Sequence, residues 1–189
     1  TVFCRRRVRR RAPASDGDPM RLTLAHGDIL REHVAAIVVT ANPWLNLSGG
    51  VGGALLLAGG DDVQRELHAW LKQTGKTWLP AGSIVCTGPG PLAANGCRLL
   101  VHAVAIDALY QTDEATVRRT LAAALQAAAD RGMQSIALPA LATGYGPLSI
   151  RDFCAAARPI LLADWPGLQE CRLVVKDADA LADASATLG

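Results

Sequence analysis

The chain has 189 residues, of which 50% are apolar and 19% are charged, and its formal net charge at neutral pH is +2. This length and composition predict a single globular domain with a substantial core and argue against an intrinsically disordered chain. No apolar run approaches the roughly 20 residues that a membrane-spanning helix needs, so no membrane association is expected.

The positive charge is concentrated at the N terminus. Residues 1–19 contain six Arg and two Asp, whereas the rest of the chain contains 13 basic and 15 acidic side chains. We therefore expect a basic, disordered extension over residues 1–19 and a folded domain over residues 20–189 that is not itself a basic nucleic-acid platform. The Arg-rich extension could contact nucleic acid or another acidic surface. Alternatively, it precedes a true start at Met20, which directly precedes the first predicted strand.

The cysteines and histidines favour neither disulfides nor a metal site. Five cysteines are scattered without CxxC spacing, and the four histidines form no short-spaced pair with one another or with a cysteine. Buried free thiols in a reducing compartment fit this pattern, so we expect a cytoplasmic protein. No metal and no cofactor are expected.

From Met20 onward, strand-like and helix-like segments alternate along the chain. The first half predicts strands over residues 21–25 and 35–40, a turn at Gly27 and Asp28, and one helix over residues 51–73. The second half predicts strands over residues 83–87, 98–104, 135–140 and 172–176, and helices over residues 112–131 and 147–163. Such repeated strand–helix crossovers predict a mostly parallel sheet covered by helices on both faces, in three layers. Ligands of these folds bind outside the carboxyl ends of the strands.

The stretch over residues 37–55 carries the strongest functional signal. A buried strand ends in Asn42, and a loop with four glycines in five positions, 49 to 53, then leads into an Ala- and Leu-rich helix. Backbone N–H groups at such a strand-to-helix loop can bind an anion, and the helix dipole favours negative charge there. The alternative is a helix N terminus that binds no ligand. The lysine of a Walker loop is absent, since Lys72 is the first lysine of the chain.

Four further segments follow in the same order as in the macro domain, an ADP-ribose-binding module that the chain resembles. With the glycine loop, the matching segments are residues 27–29, 80–85, 99–104 and 136–146. The resemblance covers about residues 20 to 177. It implies a three-layer α/β/α fold with a mixed, mostly parallel sheet, and a monomeric domain that binds ADP-ribose or ADP-ribosylated protein.

The resemblance also implies a role for individual residues. Asp28 would accept a hydrogen bond from the adenine amine, the N–H of Ile29 would meet the ring, and Asn42 would contact the distal ribose. Two loops would hold the diphosphate: Gly49, Gly50, Val51 and Gly52 in the first, and Ala142, Thr143, Gly144, Tyr145 and Gly146 in the second. Within the second loop, the Thr143 hydroxyl would reach phosphate and Tyr145 would wall the distal ribose.

Some of these residues have simpler alternative roles. Asp28 could serve only its own turn, and Asn42 could cap the glycine loop. An acceptor-only carboxylate at position 28 favours adenine over hypoxanthine, because it would reject an oxo group. His102 lies in an apolar strand, and we expect it to be a satisfied core histidine.

Whether the domain also catalyses a reaction stays open at the level of sequence. Hydrolytic macro domains typically have two Asn before the first loop and an Asp within it. This chain has Val39 in place of the first Asn and Gly52 in place of the loop Asp. A His that usually follows is replaced by Leu56, and residues 55–60 contain no nucleophilic lysine. The first alternative to binding alone is hydrolysis of ADP-ribosyl esters or O-acetyl-ADP-ribose, with Asn42 positioning ribose and water. The second is a nucleic-acid interaction through the Arg-rich extension.

Overall fold

The computed structural model describes residues 19–189, and the predicted basic extension with its nucleic-acid contacts lies outside the described residues. Six strands form one sheet in this part of the chain: β1 (Arg21–His26), β2 (Ala36–Thr40), β3 (Ser83–Thr87), β4 (Leu99–Val104), β5 (Ser135–Pro139) and β6 (Glu170–Val175). Five α-helices accompany them: α1 (Gly50–Leu57), α2 (Asp61–Gln73), α3 (Glu114–Ala129), α4 (Ile150–Leu161) and α5 (Ala178–Leu188). Short 3-10 helices span Ile29–Arg31 and Gly90–Asn95.

The sheet has the strand order β1-β6-β5-β2-β4-β3. Neighbouring strands are parallel except for β3, which runs antiparallel to β4 at one edge. This arrangement confirms the predicted mixed, mostly parallel sheet.

Two apolar clusters cover the two faces of the sheet and create the three layers. Along β4, Leu99 and Val101 contribute to one cluster, whereas Leu100 and Val104 contribute to the other. Successive side chains of a strand point to opposite faces, so a strand that is apolar throughout must be covered on both. Helices α3, α4 and α5 cover the first face, and α1 and α2 cover the second.

The prediction of one helix over residues 51–73 was wrong. Helix α1 ends at Leu57, the Gly60 N–H donates back to Leu55 O at 3.1 Å, and α2 begins at Asp61. Two consecutive glycines weaken a helix, and the acidic pair Asp61 and Asp62 favours a new helix N terminus because it complements the dipole.

The predicted bounds of β3 agree with the structure, most of the other predicted bounds shift by one to three residues, and the sequence analysis missed one helix. The predicted helix over 147–163 begins only at Ile150, because Ser149 forms a capping box with Asp152. Helix α5 was not predicted, and Asp177 caps it by accepting from the Ala180 N–H at 2.9 Å. Within residues 19–189, no helix has both the length and the apolar character needed to cross a membrane.

His102 is a core residue, as expected, but only one of its ring nitrogens has a partner. The side chain is fully buried on β4, opposite Val39 of β2 and Val85 of β3. Its Nε2 lies 2.9 Å from Thr87 Oγ1, whereas Nδ1 has no hydrogen-bond partner among the described residues. Burial disfavours the charged ring and lowers the pKa of His102 to about 4.

We expect His102 to make the domain acid-sensitive. The unfolded chain binds a proton at His102 below about pH 6.5 and the folded chain only below about pH 4, so stability is lost as the pH falls through this window. The loss approaches about 3 kcal/mol. Urea denaturation of wild type and His102→Gln between pH 7.5 and 4 measures it, because glutamine can still bond Thr87 but does not titrate. Parallel stability–pH curves for the two proteins would contradict this expectation.

Candidate functional site

A cavity of about 440 Å³ lies at the carboxyl edge of the sheet. Its lining comes mainly from segments at or just after the ends of five strands: residues 27–30 after β1, 40–41 at β2, 105–106 after β4, 140–146 after β5 and 176 after β6. Side chains of α1 and α4, with Ala103, Pro139, Val174 and Val175, complete the wall. A parallel sheet directs these loops to one edge, which is where such folds bind ligands.

Asp28 lies at one end of the cavity, beside β1 at the edge of the sheet. Its Oδ1 accepts from the Leu30 N–H at 3.0 Å and so caps the short 3-10 helix. Its Oδ2 lies 3.6 Å from Arg31 Nε, and the side chain is about half exposed. Asp28 therefore caps its own turn, the alternative role that the sequence left open, and this cap uses one of its two carboxylate oxygens. Ile29 also lines the cavity while its side chain is buried in the second core cluster.

In the structure the first loop spans residues 42–49, and Gly50, Val51 and Gly52 belong to the start of α1. The start of α1 supplies backbone donors. The first helical hydrogen bond of α1 runs from the Gly53 N–H to Gly49 O at 2.8 Å. The N–H groups of Gly50, Val51 and Gly52 precede that bond, so the helix ladder does not use them. Gly50 and Val51 line the cavity, whereas Gly49 and Gly52 do not. Gly52 instead packs on β2, since a Cβ there would lie 3.3 Å from Thr40 O.

Asn42 is not among the residues that line the cavity. Its Oδ1 accepts from the backbone N–H groups of Trp44 and Asn46, each at 3.1 Å. Its Nδ2 donates to Asn46 O and Ser48 Oγ, also at 3.1 Å. The side chain thus stabilises the first loop, which is the alternative role that the sequence left open. Its contact with a distal ribose stays a prediction.

The second loop (residues 140–146) is held in an unusual backbone conformation. Ala142 has φ 61°, and its carbonyl accepts from the Leu148 N–H at 3.2 Å. A Cβ at position 146 would lie 2.5 Å from that carbonyl, so only glycine fits there. The Thr143 hydroxyl donates to Ala140 O at 2.9 Å. Its proton is therefore engaged within the loop, and Thr143 can donate to a phosphate only after its hydroxyl rotates.

Tyr145 connects the two loops across the cavity. Its ring lies against Gly49, where an added Cβ would be 2.6 Å from the phenol oxygen. Gly49 itself has φ 62° and ψ 163°, a region that essentially only glycine adopts. The glycine at this position therefore serves both the loop backbone and the close approach of Tyr145.

Two further residues of this region were not among the predicted site residues. Lys176 lines the cavity next to Asp28, because β6 pairs with β1. Tyr110, in the loop after β4, has its ring centroid 6.2 Å from that of Tyr145. A strand-end position was the available signal for Lys176, whereas the Tyr110 contact joins loops that are distant in sequence. Within residues 19–189, no cluster of His, Cys, Asp or Glu side chains could hold a metal ion.

Comparisons with protein families, curated proteins and solved structures all point to the same family. Residues 38–157 match the Macro domain family. A macro domain-containing protein of Listeria monocytogenes is 36% identical over 132 residues, which cover 67% of this chain and 71% of that protein. The Oceanobacillus iheyensis macrodomain with ADP superposes with a TM-score of 0.80 at 22% identity, covering 93% of each chain. The Trypanosoma brucei macrodomain in complex with ADP-ribose gives a TM-score of 0.75 at 22% identity, covering 89% of this chain and 69% of that one.

We expect Gly49→Ala to destabilise the protein by about 1–3 kcal/mol, because alanine disfavours the Gly49 backbone conformation and its Cβ would displace Tyr145. Gly53→Ala, four residues further along, is the matched control. A Cβ there would meet nothing closer than Ser48 C at 3.5 Å, an ordinary contact, and alanine favours a helix by up to about 1 kcal/mol relative to glycine. Chemical denaturation of both variants measures the difference. Equal stability would show that the Gly49–Tyr145 contact is not required.

Proposed function

Because the chain belongs to the macro domain family, we propose that its cavity binds ADP-ribose, either free or attached to a protein. The observation that carries the proposal is the order of chemical groups along the sheet edge. Asp28 follows β1 at one end, the free backbone N–H groups of Gly50 and Val51 follow β2 three strand positions away, and the Tyr145 ring lies beside them against Gly49. The same fold in the Oceanobacillus iheyensis macrodomain with ADP and in the Trypanosoma brucei macrodomain in complex with ADP-ribose supports the proposal.

The length of the cavity suits an elongated ligand. Strands in a sheet lie about 4.8 Å apart, so the three steps from β1 to β2 span about 14 Å. A nucleoside diphosphate joined to a second ribose extends across such an edge, with its base at Asp28 and its diphosphate beside the start of α1.

In the proposed complex, backbone N–H groups bind the diphosphate. Gly50 and Val51 at the start of α1 lie across the cavity from the second loop, and the helix dipole favours the negative charge. Lys176 is the one Lys or Arg among the described lining residues, and it follows β6 near Asp28 rather than near α1. Gly49 and Gly52 contribute by shaping the loop, and Asn42 contributes by holding it.

Asp28 would recognise adenine through the carboxylate oxygen that does not cap the 3-10 helix. An ionised carboxylate only accepts hydrogen bonds, which matches the exocyclic amine of adenine and opposes the oxo group of hypoxanthine. Asp28→Asn tests this role sharply, because asparagine is an equally good N-cap for the Leu30 N–H but offers an amide donor in place of one acceptor.

We expect Asp28→Asn to weaken ADP-ribose binding by about 10- to 100-fold, since a hydrogen bond to a charged group is lost and two donors face each other. The same variant should bind the hypoxanthine analogue of ADP-ribose better than wild type does. Isothermal titration with both ligands provides the measurement, and an unchanged melting temperature confirms that the cap is intact. Tight wild-type binding that is unaffected by the substitution would remove Asp28 from the site, and no binding of ADP-ribose by wild type would refute the function.

The chemistry of the cavity favours binding over hydrolysis. Asp28, Tyr145 and Lys176 are the ionisable side chains among the described lining residues, and both charged ones lie at the adenine end. The other end therefore has no carboxylate or imidazole to activate water, a contribution of typically 10²–10⁴-fold in rate.

We accordingly expect no release of ADP-ribose from ester-linked mono-ADP-ribosylated protein above the spontaneous rate. A time course of release with and without the protein measures this, with Asp28→Asn as the binding-deficient control. Release that depends on Asp28 and exceeds the spontaneous rate would instead establish the hydrolase alternative.

We also propose a cytoplasmic location, on the basis of the thiols. The described cysteines are free, with Cys97, Cys154 and Cys171 buried and Cys86 partly buried. Burial raises the pKa of Cys154 to about 11 and that of Cys171 to about 12, so both stay protonated and inert. Unpaired thiols of this kind are typical of a reducing compartment.

A further inference from the structure

Tyr110 and Tyr145 form an exposed aromatic pair beside the cavity. Their ring planes are tilted by 41° and their ring centroids are 6.2 Å apart, a distance within the range of interacting aromatic pairs. The side chains are 55% and 68% exposed, so the pair does not belong to the core.

The loop that presents Tyr110 is firmly held. Asp107 Oδ1 accepts from the backbone N–H groups of Leu109 and Gln111, each at 2.8 Å. The Asp107 N–H donates to Gln111 O at 2.9 Å, and the Tyr110 N–H donates to Asp107 O at 3.1 Å. Tyr110 itself has φ 60°, a conformation in which a bulky residue is an outlier. The hydrogen bonds of this turn hold Tyr110 in that conformation and so fix the direction in which its side chain leaves the backbone.

The pair lies at the end of the site opposite Asp28. Tyr110 follows β4, which is four strand positions from β1 and hence about 19 Å away along the sheet edge. Tyr145 lines the cavity, its ring lies against Gly49, and the centroid of that ring is 6.2 Å from that of Tyr110. These two neighbours restrict the positions that the Tyr145 ring can take.

We propose that Tyr110 is a positioning residue that determines specificity. It holds Tyr145 in place at this end of the cavity, and the domain therefore binds ADP-ribose more tightly than ADP. The inference rests on the proposed function. ADP can reach Asp28 and the backbone donors of α1, but it lacks the second ribose that would extend to Tyr145. Tyr110 acts on that ribose through Tyr145 and need not touch the ligand.

The test compares the affinity ratio of ADP-ribose to ADP across four proteins. Tyr110→Asn removes the ring, and asparagine tolerates positive φ, so the loop backbone is preserved. Tyr110→Phe keeps the ring pair. Leu109→Ala is the matched control, because Leu109 is 75% exposed in the same loop and its backbone hydrogen bonds survive the substitution.

We expect Tyr110→Asn to weaken ADP-ribose binding by about 3- to 10-fold, the range of one aromatic pair, with less than about a twofold change for ADP. Tyr110→Phe and Leu109→Ala should keep the wild-type ratio. A purely structural role of Tyr110 would weaken the binding of both ligands equally. Tyr110→Asn would then keep the wild-type ratio of ADP-ribose to ADP affinity, and that result would overturn the inference while leaving the proposed function standing. Wild-type protein that binds neither ligand would overturn both.

Discussion

The parallel alignment of five strands is the constraint on which the site depends. Because β1, β6, β5, β2 and β4 run in the same direction, their carboxyl ends meet at one edge, and the loops that follow them share one cavity. The antiparallel β3 lies outside this group at the sheet edge and contributes no residue to the cavity lining. The order of the strands in space, which differs from their order in sequence, places Asp28 after β1 and Tyr110 after β4, four strand positions apart.

Close approach of backbone segments is the second constraint, and small residues meet it. The contacts of Gly49 with Tyr145 and of Gly146 with the Ala142 carbonyl leave no room for a Cβ. If backbone N–H groups bind the diphosphate, as proposed, the site has to be built this way, since these groups cannot be lengthened as a side chain can. Sensitivity to substitution should consequently concentrate at glycines and at the residues packed on them, rather than at charged side chains of the loops.

Most of the fold was readable from the sequence because its strands are continuous apolar runs between polar or glycine-containing turns. The bounds of β3 agree with the prediction, and the other strands differ from it by no more than two residues at either end. The division between α1 and α2 was missed, since an apolar pattern continues through Gly59 and Gly60. Helix α5 was missed because its short Ala-rich segment has few large apolar residues, so its capping by Asp177 was the main available signal.

Within the site, the sequence predicted which loops meet but not how individual side chains use their hydrogen bonds. Asn42 and Thr143 both direct their polar groups into their own loops, through contacts with backbone atoms that only the folded loop brings within reach. The Tyr110–Tyr145 pair has the same origin, because it joins loops 35 residues apart in sequence. Positions set by local pattern are predictable from sequence, whereas those set by the meeting of two loops are not.

The distribution of charge in the cavity bears on what the site can do. Asp28 and Lys176 follow the neighbouring strands β1 and β6 at one end, whereas the opposite end presents Tyr145 and backbone groups. An asymmetric ligand such as ADP-ribose would therefore be oriented by its base, with its second ribose in the uncharged part of the site. Acid–base chemistry needs a titratable group within hydrogen-bond reach of the reacting atoms. In the proposed complex, the charged groups would lie at the base and the paired aromatic rings beside the second ribose, so the selectivity of the site would depend on how firmly those rings are held.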